Sequence, residues 1–206
     1  MSWVMFDFGG VICTYQPDGD LAALAAAAGP GVSVADFRNA YWPSRTAYDE
    51  ATLTATGFWR DVAHRLGRTF TDAQIGELIR LDIASWMHLQ DGTIALIRDL
   101  ESAGQRLAVL SNMPAEVSRA IEGLPIAGHF EHLLFSCDLG AVKPGQRCFR
   151  QALDRLGAPA SEVTFVDDRQ ENVTAAVQAG LRAIKFTGPR QARDDLAAII
   201  GQALVE

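Results

Sequence analysis

Cysteine is scarce in this chain: Cys13, Cys137 and Cys148 are odd in number and too far apart for a close-spaced zinc site, which excludes a disulfide scaffold or a thiolate metal centre. Such usage points to a reducing compartment. No basic cluster reaches the density of a surface that tracks phosphates, and the formal net charge is −7, so nucleic acid is not an expected partner. Long apolar runs are also missing, since none approaches the roughly 20 residues that cross a bilayer. Asp7 interrupts the first apolar stretch, and no basic leader stands before it. These absences together lead to the expectation of a soluble, unprocessed, cytoplasmic protein with no membrane partner, its oligomeric state left open. The four histidines, His64, His88, His129 and His132, share no metal-like spacing with the acids, so no role is assigned to them.

With 206 residues the chain can bury a proper core and still carry a sizeable insertion. Five short, continuous apolar segments read as buried parallel strands: Trp3 to Phe6, Leu107 to Leu110, Leu133 to Phe135, Val163 to Val166, and Ala183 to Phe186. Helical patterns lie between them, at Thr93 to Ala103, Pro114 to Glu122, Phe149 to Leu156 and Asn172 to Ala179. Each is followed by a glycine expected to stop it in the left-handed region. That alternation predicts an α/β fold with a Rossmann-like, doubly wound parallel sheet. Between the first strand and residue 90 the pattern is helical only, at Leu21 to Ala28, Val34 to Tyr41, Thr52 to Leu66 and Asp72 to Ile83, with Thr71 and Gln74 forming a capping box. The expected organisation is a core of residues 1–17 and 91–206 with a helical cap of residues 18–90.

In open α/β sheets ligands bind beyond the carboxyl ends of the strands. Four of the five predicted strands end there in polar residues: Asp7, Ser111-Asn112, Ser136 and Asp167-Asp168. Lys143 precedes Pro144, which favours an extended segment. Three carboxylates, one hydroxyl and one lysine suit a doubly charged phosphate held with a hard cation. Magnesium is such a cation: it takes oxygen ligands and keeps several waters, so few protein ligands suffice. An Asp nucleophile can form an aspartyl-phosphate that water then hydrolyses.

In order and spacing, Asp7-Phe8-Gly9-Gly10-Val11, Leu110-Ser111-Asn112, Lys143-Pro144 and Phe165-Val166-Asp167-Asp168 resemble the four motifs of the haloacid dehalogenase superfamily. The Asp-x-Gly-Gly start and Asp-Asp-x-x-x-Asn end are most similar to its small branch containing glucose-1-phosphatases. The resemblance implies that Asp7 is the nucleophile and a magnesium ligand, that Ser111 holds a phosphate oxygen, and that Lys143 bridges nucleophile and phosphate. It further implies that Asp167 and the Gly9 carbonyl bind magnesium. Asp168 would order a metal-bound water or Lys143. Gly9 and Gly10 would let the backbone approach the ligand, with Asn112 and Asn172 in support. The activity implied is magnesium-dependent hydrolysis of a small phosphorylated metabolite, such as a sugar phosphate.

One position departs from the common pattern of the superfamily's phosphatases, which carry a second Asp two residues after the nucleophile to protonate the leaving group. Gly9 stands there instead. General acids and bases contribute about 100- to 10,000-fold, so Gly9 implies a preference for good leaving groups unless a cap residue supplies the proton. In or near the cap, Tyr15, Trp42, Arg45 and Tyr48 could wall and fork a substrate, with Arg45 the favoured substrate contact. Core aromatics with a surface arginine is the competing reading. Two other activities fit the same motifs: metal-independent dehalogenation of a small acid, and binding of a phosphometabolite without turnover.

Overall fold

The computed structural model describes residues 2–201. Five parallel strands form one sheet: β1 (Trp3–Phe6), β2 (Arg106–Ser111), β3 (His132–Phe135), β4 (Val163–Asp167) and β5 (Arg182–Lys185), in the order β3-β2-β1-β4-β5. Alternation along β1 decides which side chain meets which face. Val4 and Phe6 pack with Leu96, Leu100, Val117 and Leu196 on one side, whereas Trp3 and Met5 pack with Phe149, Ala152 and Ala176 on the other. Both faces are therefore covered, as a parallel sheet requires. Helices α6 (Asp91–Ser102), α7 (Ala115–Glu122) and α11 (Pro189–Ile200) contribute to the first face. Helices α9 (Gln146–Leu156) and α10 (Gln170–Gln178) contribute to the second. The four-residue α8 (Ser136–Leu139) leads out of β3.

Register carries the acids to one line. Phe6 pairs with Val109 on one side and Val166 on the other, and the Asp7 N–H donates to the Val166 carbonyl at 2.9 Å. Asp7 and Asp167 thus follow paired residues on adjacent strands. The chain reverses its direction across the sheet between β1 and β4, where a crevice opens at the carboxyl ends.

Between β1 and β2, ahead of α6, five helices are inserted: α1 (Asp18–Ala28), α2 (Val34–Tyr41), α3 (Arg45–Asp49), α4 (Ala55–Arg65) and α5 (Asp72–Ser85). They enclose a core of their own, built on Leu24, Phe37, Tyr41, Phe58, Trp59 and Leu78. The chain enters and leaves this insertion side by side, since the Thr14 N–H donates to the His88 carbonyl and the Gln90 N–H to the Ile12 carbonyl, both at 2.9 Å. Thr71 and Gln74 form the capping box expected from the sequence.

Some details differ from expectation. The helix expected over Thr52 to Leu66 begins only at Ala55, because Thr54 caps it by accepting the Gly57 N–H. Gly123 ends α7 at φ −82°, not in the left-handed region reached at Gly104, Gly157 and Gly180. Helices α3, α8 and α11 were not foreseen, and β5 lies one residue earlier than expected.

Candidate active site

Asp7 leaves β1 into the crevice and is 6% exposed. Its Oδ1 accepts the Phe8 N–H and the Ser111 hydroxyl, each at 2.7 Å, and lies 2.9 Å from Lys143 Nζ. Lys143 Nζ also donates to Asp167 Oδ2 at 2.7 Å, so one buried ammonium joins two strand-end carboxylates. Asn112 fixes that lysine through its backbone: its side-chain carbonyl accepts the Lys143 N–H and its amide donates to the Lys143 carbonyl, both at 2.8 Å. Asn112, expected in support of the ligand, thus lines the crevice and clamps Lys143 as well.

The neighbouring acids have different surroundings. Asp167 has both oxygens engaged: Oδ1 accepts the Arg169 N–H at 2.7 Å, Oδ2 accepts Lys143, and Asn172 donates to both at 3.0–3.1 Å. Asp168 Oδ2 accepts the Tyr15 hydroxyl at 2.5 Å, but its buried Oδ1 has no hydrogen-bond partner among the described residues. Asp7, Asp167 and Asp168 each offer an oxygen within 4.8 Å of the others. Among the described residues Lys143 is the one ammonium joined to this trio, leaving an excess of negative charge around an unpaired oxygen. Such a set fits a hard, oxygen-seeking divalent cation.

The charge balance appears in the titration of the cluster. Burial pushes the Asp7 carboxyl up to about 7, with Asp167 adding to the rise and Lys143 and Ser111 opposing it. Burial would raise Asp167 too, but Lys143, the Arg169 N–H and Asn172 hold it below its ordinary value. The two carboxylates flanking Lys143 keep its ammonium protonated despite burial.

The two glycines differ in what they make room for. A Cβ at Gly10 would lie 2.5 Å from Asp168 Oδ2, and its φ of +79° favours glycine, so the turn can pass Asp168 only without a side chain. A Cβ at Gly9 would instead meet the Trp86 ring at 3.3 Å.

Above the carboxylates is a cavity of about 420 Å³ that brings together Asp7, Gly9, Ser111, Asn112 and Lys143 from the sheet with Trp42, Arg45, Thr46, Asp49 and Trp86 from the insertion. A depression on the insertion, lined by Asp36, Asp61, His64 and Arg65, shares no residue with it. Arg45 does line the crevice, but it is a buried residue rather than a surface arginine, and its guanidinium is already paired with Asp49 at 2.7 Å and Asp82 at 3.3 Å. Nε and Nη1 are the atoms engaged by these two carboxylates. Tyr48 is core, with its hydroxyl on Glu116 at 2.8 Å, whereas Trp42 and Tyr15 are exposed at the mouth. Cys13 is a buried small hydrophobe whose thiol is pushed up to about 12 by burial.

Sequence reasoning missed Asp49 and Trp86, and it recognised Ser136 only as a polar strand end. The fully buried Ser136 hydroxyl accepts the Met113 N–H at 2.9 Å and donates to the Asp49 carbonyl at 2.6 Å, tying the insertion to the sheet. Asp49 and Trp86 belong to helix ends, where periodicity says nothing of direction.

Residues 1–180 match the family described as haloacid dehalogenase-like hydrolase. The chain belongs to that family. Among curated relatives, the phosphoglycolate phosphatase of Rhodospirillum rubrum is 28% identical over 200 residues, covering 88% of this chain and 77% of that protein. Matches to the first three curated relatives cover 10%, 58% and 37% of those proteins' own lengths. In fold, a HAD-like family hydrolase from Porphyromonas gingivalis aligns with TM-score 0.77 at 20% identity, over 97% of this chain and 98% of that one. A HAD family enzyme from Bacteroides thetaiotaomicron, solved with magnesium and inorganic phosphate, aligns with TM-score 0.69 at 16% identity, over 89% and 93%. Among the described residues no helix is long and apolar enough to cross a membrane.

Proposed function

We propose that this haloacid dehalogenase-like hydrolase is a magnesium-dependent phosphatase of small phosphomonoesters, with residues 18–90 as a cap over the crevice and Asp7 as the nucleophile. The observation carrying this reading is the buried trio of Asp7, Asp167 and Asp168, joined to a single ammonium and retaining an unpaired Asp168 Oδ1. The magnesium and phosphate bound by the Bacteroides enzyme and the phosphoglycolate phosphatase named above support it.

The hydrogen bonding redistributes the roles suggested by resemblance. With both oxygens engaged, Asp167 is the residue that orients Lys143. Asp168, with a free Oδ1, joins Asp7 and the Gly9 carbonyl as a magnesium ligand. When bound, magnesium supplies positive charge that offsets the carboxylates and polarises the phosphoryl oxygens. Asp7 presents its Oδ2 to phosphorus, since Oδ1 is held by Phe8, Ser111 and Lys143. Attack forms an aspartyl-phosphate and expels the leaving group, and water then cleaves the phosphoryl–Asp7 bond. Ser111 and Lys143 are fixed donors within reach of the transferring oxygens, so little reorganisation accompanies the charge shift. The cap's Trp42 and Trp86 limit water at the leaving-group side.

The test is phosphate release from an aryl phosphate by wild type and Asp7→Asn, each with magnesium and with chelator. Activity should require both Asp7 and magnesium. Chloride release from a 2-haloacid without added metal, accompanied by no phosphate release, would overturn the proposal in favour of dehalogenation.

A further inference from the structure

We propose that Asp49 of the cap is the general acid and base of the reaction, taking the part that Gly9 leaves without a side chain. The inference rests on the phosphatase reading above. Asp49 and Asp7 line the same cavity from opposite sides, one from the insertion and one from the sheet. Asp49 is 8% exposed, and its position over the crevice is fixed through its own backbone, because its carbonyl accepts the Ser136 hydroxyl at 2.6 Å.

Charge counting explains why this acid can hold a proton. Arg45, Asp49 and Asp82 form a buried cluster in which one guanidinium faces two carboxyls. With both ionised the cluster carries a net negative charge in a dry place, and one added proton neutralises it. The donors decide where that proton resides. Asp82 accepts from the Tyr41 hydroxyl at 2.6 Å, from Gln16 at 3.3 Å and from Arg45 Nη1 on both oxygens, so both of its oxygens are occupied by donors. Asp49 receives Arg45 Nε on Oδ1 alone, leaving Oδ2 for the proton and the substrate. Burial pushes both carboxyls up, more than Arg45 pulls them down, and each adds to its surroundings' negative charge. The other ionisable group nearby is Glu116 on α7, which the Tyr48 hydroxyl occupies.

In the first step a bond forms from Asp7 Oδ2 to phosphorus as the bond from phosphorus to the leaving oxygen breaks, and the Asp49 proton passes to that oxygen. In the second, a water oxygen attacks phosphorus, the phosphorus–Asp7 bond breaks, and Asp49 takes a proton from the water. Alcohol and phosphate leave with both acids restored. On this account the good-leaving-group restriction implied by Gly9 is lifted, and alkyl phosphates are substrates as well.

The experiment compares wild type and Asp49→Asn, with magnesium, on p-nitrophenyl phosphate and on a primary alkyl phosphate. Nitrophenolate leaves without a proton and an alkoxide does not, so kcat/KM should fall about 100- to 10,000-fold for the alkyl ester and less than about tenfold for the aryl ester. Rapid mixing of Asp49→Asn with the aryl ester should give a burst of one nitrophenolate per enzyme, because water activation is also impaired. The burst demonstrates a folded, competent Asp7. Equal losses on both esters, or no loss on either, would overturn the role of Asp49 while leaving the phosphatase intact. A wild type inactive on both esters would overturn the phosphatase reading itself.

Discussion

Replacing Asp7 by Asn should stabilise the metal-free protein, and by more at alkaline pH than at acid pH. The ordinary value for this carboxyl is 3.8, and burial lifts it to about 7 in the fold. Between those values the folded chain holds a proton that the unfolded chain has released, so stability falls as pH rises through this window and is level above it. Integration gives a cost of about 1.5 kcal/mol at about pH 5 and about 4 kcal/mol at about pH 8.5. Asn is neutral and keeps an oxygen for the Phe8 N–H, Ser111 and Lys143, so it removes the charge while preserving the bonds. The variant's advantage over wild type should therefore grow by about 2.5 kcal/mol between those conditions, or roughly 5–10 °C in Tm for a chain of this size. Thermal unfolding followed by circular dichroism in chelator measures it. Magnesium added at the higher pH should raise the Tm of wild type and leave Asp7→Asn unmoved. An advantage that is equal at both pH values, or larger at the lower one, would refute the account of Asp7 as a buried, proton-holding carboxyl.

Two perturbations test the cap. Ser136→Ala removes the hydroxyl that serves the Met113 N–H and the Asp49 carbonyl. At about 1–3 kcal/mol per unsatisfied buried group the loss should be about 2–6 kcal/mol in urea unfolding, and a loss below about 1 kcal/mol would show that the tie is replaced locally. Ala51 occupies the left-handed region at φ 58°, a strain of about 1–2 kcal/mol for a residue with a Cβ. Ala51→Gly relieves that strain but gives back part of it in unfolded-chain entropy, so a Tm rise of about 1–4 °C is expected, and a fall would refute the argument.

The sheet was legible because its central strands are buried on both faces and so read as continuous apolar runs. β5 lies at the sheet's edge, where Arg182 and Lys185 are tolerated, and its apolar centre made it look one residue late. Short α3 and α8 span five and four residues, less than the window over which helical periodicity can be counted. α11 carries a first-turn proline after Gly188, a start signal that was there to be read. At the site, Asp7, Ser111, Asp167 and Asp168 were found because each stands at or just past a strand end, which fixes it at the crevice, and Lys143 was found from Pro144 after it and from its place between the other motifs. Their division of labour was not readable. Asp167 and Asp168 are adjacent in sequence, and only tertiary packing shows that Lys143, Asn172 and the Arg169 N–H converge on the first and leave an oxygen of the second free.

Gly9 shows how the place of a missing side chain can be taken by another element. From sequence it implies a preference for good leaving groups unless a cap residue supplies the proton. In the fold the space beside it is tight, because Trp86 follows α5 at the exit of the insertion and its ring comes within 3.3 Å of where a Cβ at this position would stand. The indole packs the insertion against the loop after Asp7, and the cavity that Trp86 lines is lined by Asp49 as well. If Asp49 is the acid as proposed, proton donation from the cap would have a consequence that donation from the loop lacks: it would be available only while the cap is seated. The Ser136–Asp49 bond and the Tyr48–Glu116 bond, which join the insertion to the core, would then couple closure of the crevice to the presence of the acid. Leaving-group departure would thereby be confined to the closed, water-poor state.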